Sequence, residues 1–231
     1  MITFTGVDER TKLIDLDGYS FSSAPRNMLL IPCEFAILYT ANPEGRHRYP
    51  SREFIEQYAD EFHGFKAIHI CGQTARGQFR RGELDQLLLK FDRVQINGKL
   101  ETEDHAKRNQ FKDFIDFIAQ SPGNAFIPPN FDVLCDASGG TGAPPAEWKR
   151  PTLQYNSKVG FAGGLRPGNI EREMPLIEAA AAGEPYWIDM ETGVRTDDWF
   201  DIEKVKAVVS AVRQYTLTNV TEYSHVRRFF K

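Results

Sequence analysis

The stretch Lys158-Val-Gly-Phe-Ala-Gly-Gly-Leu-Arg-Pro-Gly-Asn-Ile170 passes from an apolar run to a glycine pair and then to a helix start. The run predicts a buried strand over Val159–Ala162, ended by Gly163 and Gly164. Proline suits the first turn of a helix, so Pro167 predicts a helix from there to about residue 182. A strand that ends in two glycines and feeds a helix lets backbone N–H groups approach an anion. The stretch therefore predicts a βα unit with an anion site at its turn.

Two flanking stretches have the same form, a buried strand with a polar, glycine-rich exit. They are Val133-Leu-Cys-Asp-Ala-Ser-Gly-Gly-Thr-Gly142 and Trp187-Ile-Asp-Met-Glu-Thr-Gly-Val194, with strands predicted over Phe131–Asp136 and Tyr186–Met190. Runs of strand-forming residues predict five more strands, over Ile2–Thr5, Phe35–Tyr39, Lys66–Cys71, Arg93–Asn97 and Asn124–Ile127. Apolar residues at helical spacing predict further helices over Lys12–Leu16, Ser51–Phe62, Arg81–Phe91, Glu103–Gln120 and Asp201–Tyr215.

The alternation of strands and helices predicts a parallel sheet and hence an α/β fold. Eight strands in 231 residues predict a (β/α)₈ TIM barrel, one that lacks the helix between strands five and six because too few residues separate them. A doubly wound open sheet is the rival, but no GxGxxG follows the first strand. We therefore predict one barrel domain over residues 1–231, with an ambiguous C-terminal tail over residues 216–231.

Composition excludes several classes of partner. A net charge of −4 and a pI near 5.8 argue against non-specific binding to nucleic acid or to anionic membranes. The most apolar window, Met28–Tyr39, is too short to span a bilayer, and the N-terminus lacks a signal-peptide pattern. The three cysteines have no CxxC spacing and do not fit a secreted disulfide framework. We predict a cytoplasmic monomer or homodimer without nucleic-acid or membrane partners, cofactor or metal.

The loops after strands seven and eight predict a phosphate site, because these loops often hold a phosphate group in (β/α)₈ barrels. The glycine-rich exit of strand six lies beside them. The residues expected at the site are Gly140, Gly163, Gly164, Thr192 and Gly193, with Arg166 and Arg195 just beyond to add positive charge. The alternative is that these glycines only form tight turns that need positive φ. On the phosphate interpretation, the partner is a phosphorylated small molecule.

Asp136 ends strand six at the edge of a glycine-rich turn. An acid at the carboxyl end of an apolar strand is partly removed from water, which suits it to general acid–base catalysis. The alternative is a structural carboxylate that accepts hydrogen bonds from the backbone amides that follow it.

Four other residues are candidates for the site. His69 and Cys71 are two apart on strand three, so both point to one face and could act as a base or nucleophile pair; burial as a core histidine and a small hydrophobe is the alternative. Arg48, in the loop after strand two, could pair with a substrate carboxylate, or belong to a solvated loop. Asp189 is either an inward polar group of the site or a buried cap for neighbouring loops.

Taken together, these segments resemble phosphoribosylanthranilate isomerase, a (β/α)₈ barrel of tryptophan biosynthesis, along most of the chain and in the same order. Arg48-Tyr-Pro-Ser51 is similar to the family's Arg-Tyr-Ile-Ser, Val94-Gln-Ile-Asn-Gly98 to Val-Gln-Leu-His-Gly, and Leu134-Cys-Asp-Ala-Ser138 with Gly139-Gly-Thr-Gly142 to Leu-Leu-Asp-Ser with Gly-Gly-Thr-Gly. Ala162-Gly-Gly-Leu165 matches Ala-Gly-Gly-Leu, and Ile188-Asp-Met-Glu-Thr-Gly-Val194 is similar to Val-Asp-Val-Ser-Ser-Gly-Val.

The resemblance implies an Amadori rearrangement in which Asp136 is the general acid that protonates the ribose ring oxygen. It also implies that Arg48 faces the anthranilate carboxylate and that the glycine loops hold the phosphate. The family's general base is a cysteine in strand one, and Thr5 takes that position here, where it is expected to line the substrate site. A threonine hydroxyl is too weak an acid to lose its proton at neutral pH, so it cannot act as the general base.

Three functions therefore stay open. The first is an isomerase-like enzyme that acts on another phosphoribosyl-type molecule. The second is the authentic isomerase, with a base relocated to Cys71, His69 or Asp8. The third is a non-catalytic barrel that binds a phosphosugar.

Overall fold

The computed structural model describes residues 1–19, 31–121, 129–136, 138, 142–152 and 157–219. Its central strands are β1 (Ile2–Thr5), β2 (Cys33–Tyr39), β3 (Phe65–Ile70), β4 (Arg93–Ile96), β5 (Asp116–Ser121), β6 (Asp132–Asp136), β7 (Val159–Ala162) and β8 (Tyr186–Met190). They form a closed parallel barrel in chain order, with β1 paired to β8. The predicted (β/α)₈ barrel is confirmed.

Helices surround the barrel. They are α1 (Leu13–Asp17), α2 (Arg52–Glu61), α3 (Gln73–Arg81), α4 (Asp85–Leu88), α5 (Thr102–Phe111), α6 (Ile170–Ala181) and α7 (Ile202–Asn219). Ser51 caps α2 as predicted, because its Oγ accepts a hydrogen bond from the Phe54 N–H at 3.2 Å. A short antiparallel pair, β9 (Arg195–Thr196) with β10 (Trp199–Phe200), lies between β8 and α7. Within the described residues, no helix combines the length and apolar character that a membrane crossing needs.

The fifth strand is the main correction to the predicted elements. The predicted helix over Glu103–Gln120 ends instead at Phe111, and its last residues form β5. The apolar spacing that indicated one long helix runs across the turn between the two elements, and Phe114 in that turn is 73% exposed. Periodicity cannot separate a short apolar strand from a helix. The strand predicted over residues 124–127 lies outside the described residues.

The second correction concerns α3, which was not predicted. This helix begins after Gly72, ends at Gly82 in the left-handed conformation, and has only two buried apolar residues, Ala75 and Phe79. Its inward face also contains Arg76, whose guanidinium pairs with Asp104 at 2.9 Å. A helix that packs through an ion pair lacks the apolar stripe that reveals a helix in a sequence.

The helix predicted over Arg81–Phe91 is also shorter than expected. It is reduced to the four residues of α4, although the leucines predicted to face inward, Leu84, Leu87 and Leu88, are buried.

The described parts of the connections before and after β6 contain no helix. Residues 129–131, before β6, contain no helix, and neither do residues 138, 142–152 and 157–158, between β6 and β7. In that second connection Trp148 is buried and donates a hydrogen bond to Glu173 Oε2 at 2.9 Å. At the other end of the chain, α7 continues to residue 219 rather than 215, and residues 220–231 lie outside the described part. The single-domain organisation stays a prediction.

The lower half of the barrel interior is filled. Alternation along the strands sends one set of side chains inward, where Ile118, Leu134, Ala162 and Trp187 form an apolar cluster. Arg93 lies over the Trp187 ring, 4.2 Å from its centroid, and its Nη1 pairs with Glu34 Oε1 at 3.1 Å. A side chain on Gly160 would overlap the indole. This layer forms a floor, and the space above it opens toward the carboxyl ends of the strands.

Candidate active site

A cavity of about 290 Å³ lies at the carboxyl ends of the strands. Nine of the sequence-predicted site residues line it: Thr5, Arg48, His69, Asp136, Gly163, Gly164, Asp189, Thr192 and Gly193. Arg166 and Asn97 line it as well, whereas Cys71, Asp8 and Arg195 do not. Gly140 lies outside the described residues. The carboxyl ends of barrel strands are where sites form in this architecture, so the cavity is the candidate active site.

The glycines after β7 and β8 let two loops meet backbone to backbone. Gly163 and Gly164 have φ of 127° and 61°, values that L side chains rarely adopt. A side chain on Gly164 would overlap the backbone after Gly142, and one on Gly193 would overlap the Leu165 carbonyl. Tight turns are therefore present, and they bring both loops to one wall of the cavity, where backbone groups can approach a ligand closely.

Asn169 braces this wall. Its Nδ2 donates to the Gly164 carbonyl at 2.9 Å, and its Oδ1 accepts from the Arg166 N–H at 2.9 Å. The side chain is buried immediately before α6. The loop after β7 is thus held in shape by the residue that leads into the helix.

Asp136 is held by three donors on the opposite side of β7. Its Oδ2 accepts from Gln120 Nε2 at 3.0 Å, while its Oδ1 accepts from the Ser138 hydroxyl at 2.8 Å and the Ser138 N–H at 3.2 Å. The bond from the Ser138 N–H is the one expected of a structural carboxylate, the alternative interpretation of Asp136. The carboxyl group nevertheless lines the cavity and is only half-buried, so a ligand can reach it.

A second polar group is formed by β8, β1 and β3. Asp189 Oδ1 accepts from Thr5 Oγ1 at 2.9 Å. Asp189 Oδ2 lies 4.0 Å from His69 Nε2, and neither atom has a hydrogen-bond partner among the described residues. Burial raises the pKa of the Asp189 carboxyl to about 8 and lowers the pKa of the His69 imidazole to about 3. The imidazole is therefore neutral at physiological pH, and the two residues do not form an ion pair.

Cys71 does not share the position of His69, contrary to the predicted pair. β3 ends at Ile70, so strand alternation no longer governs Cys71. Its Sγ accepts from Asn97 Nδ2 at 3.2 Å, outside the cavity lining. Burial raises the pKa of the thiol to about 12, so Cys71 is protonated at neutral pH.

Asp8 and Arg195 form a buried ion pair outside the cavity lining. Arg195 Nη2 lies 3.1 Å from Asp8 Oδ2, and Arg195 Nη1 donates to the Gly6 carbonyl at 2.6 Å. Asp8 also accepts from the Phe200 N–H at 2.7 Å. This pair ties the end of β1 to the β9–β10 hairpin, so Arg195 is not beside the predicted phosphate site.

Arg48 reaches the cavity but is already paired. Its Nη1 donates to Glu191 Oε1 at 2.9 Å, and its Nη2 donates to Asp198 Oδ1 at 2.6 Å. Burial, the largest cause, raises the pKa of Glu191, whereas Arg48 lowers it. Two carboxylates therefore already occupy the guanidinium expected to face a substrate carboxylate.

Sequence reasoning missed five polar lining residues, Gln95, Asn97, Gln120, Ser138 and Glu191. Each lies on a barrel strand or within two residues of its carboxyl end. Gln95 stands between the apolar residues Val94 and Ile96 of β4, and this polar interruption is the signal that could have found it.

Known proteins resemble this chain in sequence and in fold. Over 138 residues the chain is 29% identical to N-(5'-phosphoribosyl)anthranilate isomerase of Thermoanaerobacter pseudethanolicus, an alignment that covers 54% of this chain and 63% of that protein. Over 111 residues it is 27% identical to the isomerase of Acetivibrio thermocellus, covering 47% of each. The chain thus spans about half the length of these relatives. No family model matches it.

Solved structures extend the likeness over nearly the whole chain. A monomeric form of the dimeric phosphoribosylanthranilate isomerase of Thermotoga maritima has a TM-score of 0.57 at 14% identity, covering 92% of this chain and 97% of that one. The isomerase of Pyrococcus furiosus has a TM-score of 0.58 at 14% identity, covering 93% and 98%. The predicted resemblance to phosphoribosylanthranilate isomerases is confirmed. At this identity the structural likeness to those isomerases shows the barrel fold, and the sequence alignments are what point to the isomerases themselves.

Proposed function

We propose that this protein is a phosphoribosylanthranilate isomerase-like enzyme, which isomerises a phosphoribosyl-type small molecule by acid–base catalysis. One observation carries the proposal. Asp136 on β6 and the Thr5–Asp189 pair on β1 and β8 face one cavity, and the glycine loop after β7 lies between them. A phosphate held by that loop places the attached sugar between two carboxyl groups.

The site residues supply the parts that an Amadori rearrangement needs. Asp136 would give a proton to the ribose ring oxygen as the C1–O bond breaks and the substrate nitrogen forms a double bond to C1. A second group must then remove the proton from C2. The wall formed by Gly163, Gly164, Thr192 and Gly193 would hold the phosphate through backbone N–H groups, with Arg166 adding charge.

Turnover of phosphoribosylanthranilate by the purified protein tests the proposal. We expect isomerisation with a kcat/KM of at least about 10⁴ M⁻¹ s⁻¹, the lower end for ordinary enzymes, measured by the loss of substrate fluorescence. Absence of turnover with retained binding of a ribose phosphate would contradict isomerisation of this substrate. It would favour one of two alternatives, another phosphoribosyl substrate or a non-catalytic phosphosugar-binding barrel. The non-catalytic barrel is the second candidate function, because Thr5 replaces the family's cysteine.

Glu191 should weaken the binding of an anthranilate carboxylate, because it already occupies Arg48. We expect Glu191→Gln to lower the KM for phosphoribosylanthranilate about threefold to tenfold, in line with about 1 kcal/mol for a partly exposed ion pair. Steady-state kinetics measures the change. Glu203→Gln is the matched control, because Glu203 is exposed on α7 and paired with Lys206. An unchanged KM would mean that Arg48 does not bind the carboxylate.

The proposed enzyme acts in the cytoplasm as a monomer or homodimer. One of the similar structures is of a dimeric enzyme, and gel filtration with light scattering of the full chain distinguishes the two states.

A further inference from the structure

We propose that Asp189 is the general base that removes the C2 proton, and that Thr5 and His69 position it. This inference rests on the proposed function and deepens it, because it names the group that replaces the family's strand-one thiol. Thr5 stands where the resemblance places that thiol. The Asp189 carboxyl lies one hydrogen bond away, with Oδ1 2.9 Å from Thr5 Oγ1. The proposed proton acceptor therefore lies on β8, the strand paired with β1, rather than at position 5 of β1.

The hydrogen bonds leave one oxygen of Asp189 uncommitted. Thr5 is a donor to Oδ1, whereas Oδ2 is buried without a partner among the described residues. An unsatisfied buried carboxylate oxygen is costly, so native structures rarely keep one without a function. His69 Nε2 lies 4.0 Å from it, equally unpartnered. A neutral imidazole can accept a hydrogen bond from Asp189 once the carboxyl group is protonated, so His69 is placed to stabilise the product of proton removal.

The other candidate bases are excluded by their surroundings. Cys71 lies outside the cavity lining as a buried thiol. Asp8 is committed to Arg195 and to the Phe200 N–H. His69 is too weak a base, because burial lowers its pKa to about 3. Among the described groups that line the cavity, Asp189 is the carboxyl group nearest the position of the family's thiol.

The charged groups around Asp189 act in both directions. Burial is the largest cause of its raised pKa of about 8; Glu34 on β2 and Glu191 after β8 raise it further, while Thr5 and Arg93 on β4 lower it. His69 on β3 contributes no charge at neutral pH. A carboxylate with this pKa is a stronger base than an ordinary one, which suits the removal of a proton from carbon.

The proton transfers balance. When Asp189 takes the C2 proton, the C2–H electron pair becomes the C1=C2 double bond and the C1=N pair returns to nitrogen, giving a neutral enaminol. Asp189 then returns its proton to C1, and the C2 hydroxyl proton goes to Asp136, which became a carboxylate when it protonated the ring oxygen. The product is the 1-amino-2-ketose, and both carboxyl groups recover their starting states.

Asp189→Asn tests the inference with phosphoribosylanthranilate as the probe. We expect kcat to fall by about 10²- to 10⁴-fold, the usual contribution of a general base, with binding of inorganic phosphate unchanged. Adding Thr5→Cys to this variant should recover part of the lost rate, because it restores a thiol at the family's position. Asp116→Asn is the matched control, since Asp116 is an exposed carboxylate at the amino end of β5.

The pH dependence of the wild-type protein is a second measurement that needs no variant. Asp189 must be ionised and Asp136 must be protonated, so both carboxyl groups shape the pH dependence of kcat/KM, and one limb of the profile should lie near the Asp189 pKa of about 8. A wild-type profile with no limb between about pH 7 and pH 9, or an Asp189→Asn variant within threefold of wild type, would overturn the role of Asp189 and leave the proposed function standing. A wild-type protein that does not turn over phosphoribosylanthranilate would instead contradict isomerisation of this substrate, on which the role of Asp189 rests.

Discussion

Replacement of Asp136 by asparagine should lower kcat for phosphoribosylanthranilate about 10²- to 10⁴-fold, the range that a positioned general acid contributes. Asparagine keeps the size of the side chain but has no proton to give to the ribose ring oxygen. Ser138 can still donate to the amide oxygen in the place of Oδ1, and a flipped Gln120 amide can accept from the new NH2 group in the place of Oδ2, so the loop after β6 should keep its shape. KM should change little, because the phosphate is expected on the neighbouring loops.

Asp116→Asn again serves as the control for this measurement, being the same substitution at the opposite end of the barrel. Stopped-flow or steady-state fluorescence of the substrate measures kcat, and thermal unfolding shows whether each variant is folded. A folded Asp136→Asn protein with wild-type kcat would contradict the acid role. If Asp136→Asn changed no measurable property, the result would indicate a non-catalytic phosphosugar-binding barrel.

Asp189→Asn should make the protein more stable in mildly alkaline solution while removing activity. The carboxyl pKa rises from 3.8 in the unfolded chain to about 8 in the folded one. Between these values the folded state binds more protons than the unfolded state, so the free energy of unfolding falls as pH rises. Each unit of difference corresponds to about 1.4 kcal/mol, which gives a ceiling of about 6 kcal/mol at pH 8 and above. Asparagine has no carboxyl group to ionise, so the free energy of unfolding of the variant does not fall for this reason.

Urea unfolding of both proteins at pH 5 and at pH 8.5 measures the difference. Asp8, another buried carboxyl group with a raised pKa, contributes equally to wild type and variant, whereas Glu34 is coupled to Asp189. The wild-type free energy of unfolding minus that of the variant therefore reports Asp189 together with its coupling to Glu34, and it should become more negative from pH 5 to pH 8.5. A difference that does not change with pH would mean that the Asp189 carboxyl ionises in the folded protein as it does in water.

The sequence predicts the barrel better than it predicts the individual elements. β1, β7 and β8 have the predicted bounds, because each is a short run of strand-forming residues closed by glycine or polar residues. β5 was assigned to a helix because its apolar residues continue the spacing of α5. α3 was missed because an ion pair between Arg76 and Asp104 replaces apolar packing. Local periodicity does not contain such tertiary partners.

The positions of the site residues follow a similar rule. Residues at the ends of strands, such as Asp136 and Asp189, could be placed around one cavity because the topology of a (β/α)₈ barrel brings these ends together. The partners of charged loop residues could not be predicted in this way. Arg195 follows a glycine turn, as a phosphate ligand would, yet it is paired with Asp8, which is remote from it in sequence. The partners of Arg48, Glu191 and Asp198, are equally remote in sequence.

The filled floor of the barrel limits how ligands exchange. Trp187, Arg93 and Glu34 are almost wholly buried, and among the described residues their layer fills the barrel on the amino side of the cavity. On the proposed function, substrate and product would use the same opening at the carboxyl ends of the strands and the same loops. We therefore expect the product to inhibit competitively, which product-inhibition kinetics with phosphoribosylanthranilate would check.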